Sequence, residues 1–446
     1  MNVIFFAMVL ASFVVAGYRQ VTLGPLAAGG APMDVLSTGM IGAAKDSVTL
    51  ALGLVGVMTL FLGLMKVAEA GGLLTIIARL LRPVLIRLFP DVPAEHPAMG
   101  AMIMNLAANV MGLGNAATPF GIRAMQELDK LNPQKGTATN AMALFLAINT
   151  SSITLLPTGV IALRAAAGSK DPAAILPTTL FATVCSTAVA IVAAKLYARL
   201  WPAVSGPVQG EASAAGAAGS DDEILVPEAT TDAAVSSAAA SVAAGQAYPL
   251  WATALALLGV LALIPLTIVY GSAVSPWIIP GLMMALLGFG AARRVPVYEV
   301  FVEGAKEGFQ VAIRIIPYLV AILVAVGMLR ASGAMDLIVR PLGALTAKVG
   351  LPADALPMAL LRPLSGSGAF GYLSAILKDP AIGPDSYTGF LVSTLQGSTE
   401  TTFYVLAIYF GAVQVRRVRH ALAAGLTADV AGVVAAVFIC SLLFAG

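Results

Sequence analysis

Apolar blocks of about 20 residues recur along the whole chain, each long enough to cross roughly 30 Å of hydrocarbon as a helix. They are far longer than the alternating segments of about 10 residues that build a membrane β-barrel. The pattern therefore predicts an all-α fold, a polytopic membrane helical bundle. The opening block, "MNVIFFAMVLASFVVAG", lacks the basic flank of a secretory signal and reads as a retained first helix. The apolar region before Arg293 and Arg294 reads as a helical pair closed by those arginines.

Two regions are apolar enough to enter the bilayer but too rich in Gly, Pro and Asn to be plain spans. They are "NLAANVMGLGNAATPFG", from Asn105 to Gly121, and "RPLSGSGAFGYL", from Arg362 to Leu373. Irregular backbone at membrane depth is tolerated only where protein or a watery cavity lines it, so both are expected to be re-entrant hairpins. Two further blocks carry polar islands, "NTSSITLLP" from Asn149 to Pro157 and "GSTETTFYV" from Gly397 to Val405. Proline lacks an N–H and frees a carbonyl about one turn earlier, so the first island is expected to interrupt its helix.

These features come in the same order twice: an Arg-bearing amphipathic stretch, a glycine-rich hairpin, a polar island, a last apolar helix. Between the two series lies a run of Ala, Ser, Gly and acids that cannot bury enough apolar surface to offset its chain entropy. The expected organisation is a first membrane half at 1–202, a disordered linker at 203–248 and a second membrane half at 249–446. Charge orients them. The loop before the first island carries Arg123, Lys130 and Lys135, whereas the second island is followed by basic residues from Arg416 to His420. Cytoplasmic loops are enriched in Lys and Arg, so the two islands run in opposite directions, with the linker cytoplasmic in a bacterial inner membrane. Arg330, Arg340 and Lys348 would fall on the outer side and are assigned to an interfacial amphipathic helix. Two inverted repeats are the plan of many secondary transporters, whose sites form where interrupted helices meet near the midplane.

Composition sharpens this picture. Apolar residues make up 59% of the 446 and charged ones 11%, with a net charge of +2; the mean hydropathy is +0.91. No basic patch is interleaved with aromatics, which argues against nucleic acid as a partner. Cys185 and Cys440 stand apart from other metal-binding residues and read as small apolar side chains. His96 and His420 flank spans and read as interfacial. No metal site or organic cofactor is expected, and the absence of "GxxxxGK[ST]" argues against an intrinsic ATP motor.

The candidate chemistry lies in the hairpins and islands. Asn105, Asn109, Asn115 and Thr118 in the first hairpin, with Arg362, Ser365 and Ser367 in the second, can offer donors and acceptors beside free helix ends. The packing alternative is that glycines let helices approach and that Asn bonds between them. In the first island Asn149, Thr150, Ser151, Ser152 and Thr154 exceed what packing needs. In the second, Gln396, Ser398, Thr399, Thr401 and Thr402 flank an acid, Glu400. A carboxylate at the bilayer centre costs on the order of 2.5 to 3.5 kcal/mol on insertion scales, so Glu400 must face a cavity, stay protonated or be paired. It is the candidate ion-coupling residue, for protons or sodium, with Arg362 as its alternative structural partner.

The first hairpin and island resemble bacterial spore maturation protein A, in "NLAANVMGLGNAATPFGIRAMQELDKLNP" followed by "NAMALFLAINTSSITLLP". The second pair, "LRPLSGSGAFGYLSAIL" followed by "STLQGSTETTFYVLAIYFGAV", resembles spore maturation protein B. The resemblance implies a nucleoside-recognition, or Gate, domain in each half, similar to parts of concentrative nucleoside transporters and to the pore of bacterial ferrous iron transporters. The expected function is secondary transport of a small polar or anionic metabolite: nucleoside-like, amino acid or carboxylate. A homo-oligomer is compatible with the sequence. The rivals are a non-transporting scaffold, a metal permease, and an intramembrane hydrolase using Ser367, which would need a base that the sequence does not supply at that depth.

Overall fold

The computed structural model describes residues 2–22, 31–151, 154–201, 247–335, 337, 343 and 346–444. The chain is all-α: among the described residues there is no strand, only an isolated bridge between Thr137 and Arg417. Helix α1 (Asn2–Thr22) precedes a long α2 (Pro32–Ala70) and the Arg-bearing α3 (Leu73–Leu88). Then come α4 (Pro97–Val110) and α5 (Gly114–Lys130), the arms of the first hairpin. Its turn is a glycine-dependent helix end. Gly112 has φ +75°, a conformation other residues rarely adopt. The Leu113 amide donates to the Ala108 carbonyl and the Gly112 amide to that of Asn109, the paired bonds of a Schellman motif.

Helix α6 (Asn140–Ser151) and α7 (Thr158–Ala166) are the two pieces of the first interrupted helix, and α8 (Leu176–Leu200) closes that half. Pro157 caps α7 rather than kinking a continuous helix. In the second half α9 (Leu250–Ala292) and α10 (Val297–Ser332) are followed by a short α11 (Leu356–Leu361) and by α12 (Gly366–Lys378), which form the second hairpin. The second interrupted helix is α13 (Tyr387–Ser398) with α14 (Thr402–Gly411), and α15 (Ala421–Phe444) is the last span. Serine side chains start the pieces: Ser365 accepts from the Gly368 amide at 3.0 Å and Ser386 from that of Gly389 at 2.9 Å.

The two halves are inverted. Where α6 begins, α14 ends: the Arg416 and Arg417 amides both donate to the Gly136 carbonyl, at 2.9 and 3.0 Å, and Arg419 reaches Ala138 and Asn140. Where α7 ends, α13 begins: Arg164 donates to the Pro384 carbonyl at 2.7 Å and pairs with Asp385 at 3.1 Å. Neither core belongs to one half. One gathers α4, α5 and α6 with Tyr409, Phe410 and the start of α15; the other gathers α7, α12 and α13 with the end of α15. Around them α2 and α10 pack along most of their length, Gly304 and Gly308 bringing the two backbones close. Among the described residues four helices are long and apolar enough to cross a membrane, α1, α2, α8 and α15. The protein is a multi-pass membrane protein.

Three local expectations change. The apolar region before Arg293 is one helix of 43 residues rather than a pair. Arg330 closes α10 and pairs with Asp379, while Lys348 lies on a separate 3-10 turn (Ala347–Val349), so the two do not share an interfacial helix; Arg340 lies outside the described residues. His420 lies at the span end but is 1% exposed rather than open at the surface, because the 132–139 and 412–420 loops fold together over it. Of the expected linker, 203–246 lies outside the described residues.

Candidate functional site

Each interrupted helix is tied to its own hairpin and then to its counterpart. In the first half the Leu155 amide, just past the break, donates to the Val110 carbonyl at the hairpin turn at 3.0 Å. In the second half the Phe403 amide donates to the Pro363 carbonyl at 3.1 Å. Across the pseudo-symmetry, the Glu400 amide donates to the Thr150 carbonyl at 2.8 Å. The two breaks therefore cross. A broken helix leaves its last carbonyls and first amides without partners inside the helix, and here an amide of the second break meets a carbonyl of the first.

Hydroxyls reach several of the other carbonyls at the end of α6. Thr150 bonds back to the Ala147 carbonyl and Ser151 to that of Ile148, both at 2.9 Å. Ser151 also meets Thr187 on α8 at 2.9 Å, and the Thr183 hydroxyl donates to the Ser151 carbonyl at 3.0 Å. Asn149 is the hub of an amide network: it bonds to the Phe145 carbonyl at 2.9 Å, accepts from Asn109 at 2.9 Å and accepts from the Tyr409 hydroxyl at 3.4 Å. Asn105 donates to the Ala117 carbonyl at 2.8 Å, joining the two hairpin arms, and to Tyr409 at 3.1 Å. Its own Oδ1 is buried with no partner among the described residues.

On the other face of the crossing the charges gather. Arg362, 6% exposed, donates to the Thr401 hydroxyl at 3.1 Å and to the Thr399 carbonyl, and lies 3.6 Å from the Glu400 carboxylate. Glu400 itself is half exposed. Asp429 on α15 accepts from the Thr402 hydroxyl at 2.6 Å, while its Oδ1 is buried without a hydrogen-bond partner among the described residues. Arg362, Thr399 and Asp429 line one small cavity of about 10 Å³, room for roughly a single water centre. Close approach of α15 makes this arrangement possible: a Cβ on Gly425 would meet the Thr402 methyl at 2.9 Å and the Thr150 hydroxyl at 3.4 Å.

The crossing thus brings together Asn105, Asn109, Asn149, Thr150, Ser151, Arg362, Thr399, Glu400, Thr401 and Thr402. Thr154 stands in the connecting stretch beside Gly112, and Thr118 lies half-buried on α5. Gln396 has a buried Oε1 with no partner among the described residues, and Ser398 bonds back to Leu395 at 3.4 Å. Ser365 spends its oxygen capping α12, with Ser367 3.4 Å away. Ser152 and the side chain of Asn115 lie outside the described residues.

Three participants escaped the sequence reading. Asp429 carried the same signal as Glu400, an acid inside an apolar helix, and was hidden by reading α15 only as a span. Tyr409 looked like one more aromatic of an apolar block. Arg164 lies near a span end with no sequence signal of burial, yet its side chain is 0% exposed: it bonds Asp385, Ser169 and Pro384 and stacks 4.5 Å over Phe390. Among the described residues no group of three His, Cys, Asp or Glu side chains is placed to hold a metal ion.

Comparison with known proteins identifies the family. The Gate family, described as nucleoside recognition, matches residues 51–168 and 312–416, the two stretches that hold the hairpins and broken helices. The chain is 48% identical over 166 residues to spore maturation protein B of Bacillus subtilis (strain 168), covering 37% of this chain and 92% of the relative. It is 51% identical over 149 residues to spore maturation protein A of the same organism, covering 33% of this chain and 76% of the relative. The two matches fall in different halves of the chain. No solved structure matches it. A family profile repeated in each half, with a different spore maturation relative matching each, makes this chain a member of the Gate family that unites a spore maturation protein A-like half with a B-like half.

Proposed function

We propose that the protein is a secondary transporter that moves a small polar metabolite by alternating access, with its site at the crossing of the two interrupted helices. The observation that carries this reading is the antiparallel pair of broken helices joined through the Glu400 amide and the Thr150 carbonyl. Unwound backbone at membrane depth leaves dipoles that can be offered to a solute, and two inverted halves can rock about a fixed centre. Asn105 and Gln396 hold unused acceptors near it, and Arg362, Glu400 and Asp429 supply charge. Asp429 joins Glu400 as a coupling carboxylate, for a proton or sodium ion, since both lie on the face that carries Arg362.

In this reading the chain sits in the bacterial inner membrane with its linker and the loops around Lys135 and Arg416 in the cytoplasm. The family's description as nucleoside recognition keeps nucleoside-like compounds among the substrates to be tried, beside amino acids and carboxylates. The test is uptake into proteoliposomes, preceded by a thermal-shift screen of those classes with and without sodium at two pH values. A stabilising compound that is also accumulated, and whose uptake is lost in Asp429→Asn or Glu400→Gln, supports transport. A protein that accumulates nothing in any gradient while both variants retain cellular function turns the reading toward a scaffold.

A further inference from the structure

A second cavity, about 350 Å³, opens between α2, α10 and the first hairpin turn. It lies within the size range of small-molecule sites. One wall is apolar, with Met58 and Phe61 of α2; another is made by Gly112 at the hairpin turn and Thr158 at the start of α7. The remaining wall is charged. Lys66 of α2 lies 3.2 Å from Glu307 of α10 and 3.7 Å from Glu69 one turn further along α2, with the three side chains 29%, 51% and 37% exposed. Placing two carboxylates and an ammonium on helices packed into a membrane protein is costly unless they face water or a solute. The cavity is what they face.

The formal sum of that wall is −1, and its geometry is bipolar: one cation flanked by two anions, next to an apolar pocket. A simple anion would meet two carboxylates and be repelled. We propose that this cavity binds a compact amino acid, preferably one with a basic side chain, its ammonium groups held by Glu307 and Glu69 and its carboxylate by Lys66. The ligand exchanges its own charges for those of the Lys66–Glu307 pair, so the pair opens as the ligand docks. The apolar wall accepts the side-chain methylenes. Because Gly112 and Thr158 belong to the hairpin turn and the broken helix, an occupied cavity touches the elements that form the crossing. This site lies apart from the crossing; it rests on the transport reading only for the fate of the ligand and not for its binding.

The experiment is binding to the purified full-length protein in detergent, by thermal shift and calorimetry, with lysine, alanine, putrescine, succinate and uridine as probes. Lysine should stabilise most, alanine less, and succinate and uridine not at all. Glu307→Gln and Glu69→Gln should each weaken lysine binding at least tenfold. Lys66→Ala should weaken alanine binding yet strengthen that of putrescine, which has no carboxylate to lose and two carboxylates to gain. All three side chains are partly exposed, so the variants should fold, and gel filtration verifies it. Preference for succinate or uridine, or lysine binding unmoved in the two glutamate variants, would overturn the proposal. Uptake of another solute without amino acid binding would also sink this site while leaving transport standing. Lysine bound here by a protein that moves nothing would uphold the site and remove the transport reading.

Discussion

The amide of Glu400 and the carbonyl of Thr150 meet at 2.8 Å, backbone to backbone, so the bond that locks the two broken helices together does not use the Glu400 carboxylate. The two functions of this position should then separate. Glu400→Pro removes the donor and should destabilise the fold by about 1 to 3 kcal/mol, the usual cost of an unsatisfied buried carbonyl. Glu400→Gln keeps the amide and should melt close to the parent while losing ion-dependent uptake. Equal melting temperatures for the two variants would show that the crossing bond carries no stability.

Arg362 and Asp429 border the same small cavity, and Arg362 is buried. The carboxylates whose charge acts on Arg362 are Glu400, half exposed and 3.6 Å away, and Asp429; removing one side of such a buried arrangement typically costs about 3 to 5 kcal/mol because the other is left uncompensated. Arg362→Met should therefore be severely destabilised, and Arg362→Met with Asp429→Asn less so than Arg362→Met alone. A double-mutant cycle on detergent-solubilised protein measures the coupling; additivity within about 0.5 kcal/mol would mean the two do not interact.

At the opposite end of the first broken helix Arg164 holds Asp385, the Ser169 hydroxyl and the Pro384 carbonyl together. Lysine cannot reproduce that planar fork. Arg164→Lys should lower the melting temperature nearly as far as Arg164→Met. A lysine variant as stable as the parent would assign the contribution to charge alone.

His420 lies just outside α15, and burial, helped by the neighbouring Arg419, pushes it down to about 4. An unfolded histidine titrates near 6.5, so between about 6.5 and 4 the unfolded chain takes up a proton that the folded chain refuses. Stability from this group is complete above about pH 6.5 and is lost as pH falls toward 4. His420→Phe should match the parent at pH 7.5 and exceed it at pH 4.5. Parallel pH curves for the two proteins would refute the assignment.

Much of this was legible in the residues. Hydropathy blocks predict the spans, Gly112 and Pro157 mark where regular structure must stop, and the reversed charge around the two islands predicts the inversion. What periodicity could not show is which atoms satisfy the breaks, because those bonds join Thr150 to Glu400 and Asn105 to Tyr409, residues far apart in sequence. The burial of Arg164 is out of reach for the same reason: it depends on Asp385 and Phe390 of the other half. The hydroxyls of α8 read as span residues by hydropathy, although Thr178 bonds Thr394, Thr183 bonds Ser151 and Ser186 bonds Ala428.

Because both cores draw on both halves, neither half can complete its own interior. Expressed alone, residues 249–446 would present Arg362 and Asp429 without α8 or the first broken helix and should be recovered aggregated or degraded. Cleavage at a protease site inserted into 203–246 should leave two fragments that still co-purify. Halves that separate after the cut would mean that the shared interior is too weak to hold them.

The shared interior also fixes arithmetic in the cell. Each translation event delivers one A-like and one B-like half to the same patch of bilayer, where a tether converts their meeting from an encounter in the membrane into an intramolecular step. The loop bonds from Gly136 to Arg416 and from Arg164 to Asp385 make that pairing head to tail, so a homologous half drifting in cannot substitute without matching both ends at once. Selection on this chain therefore acts on stoichiometry and partner fidelity as well as on the chemistry at the centre: a substitution in one loop is judged by a residue that the same message encodes hundreds of bases away.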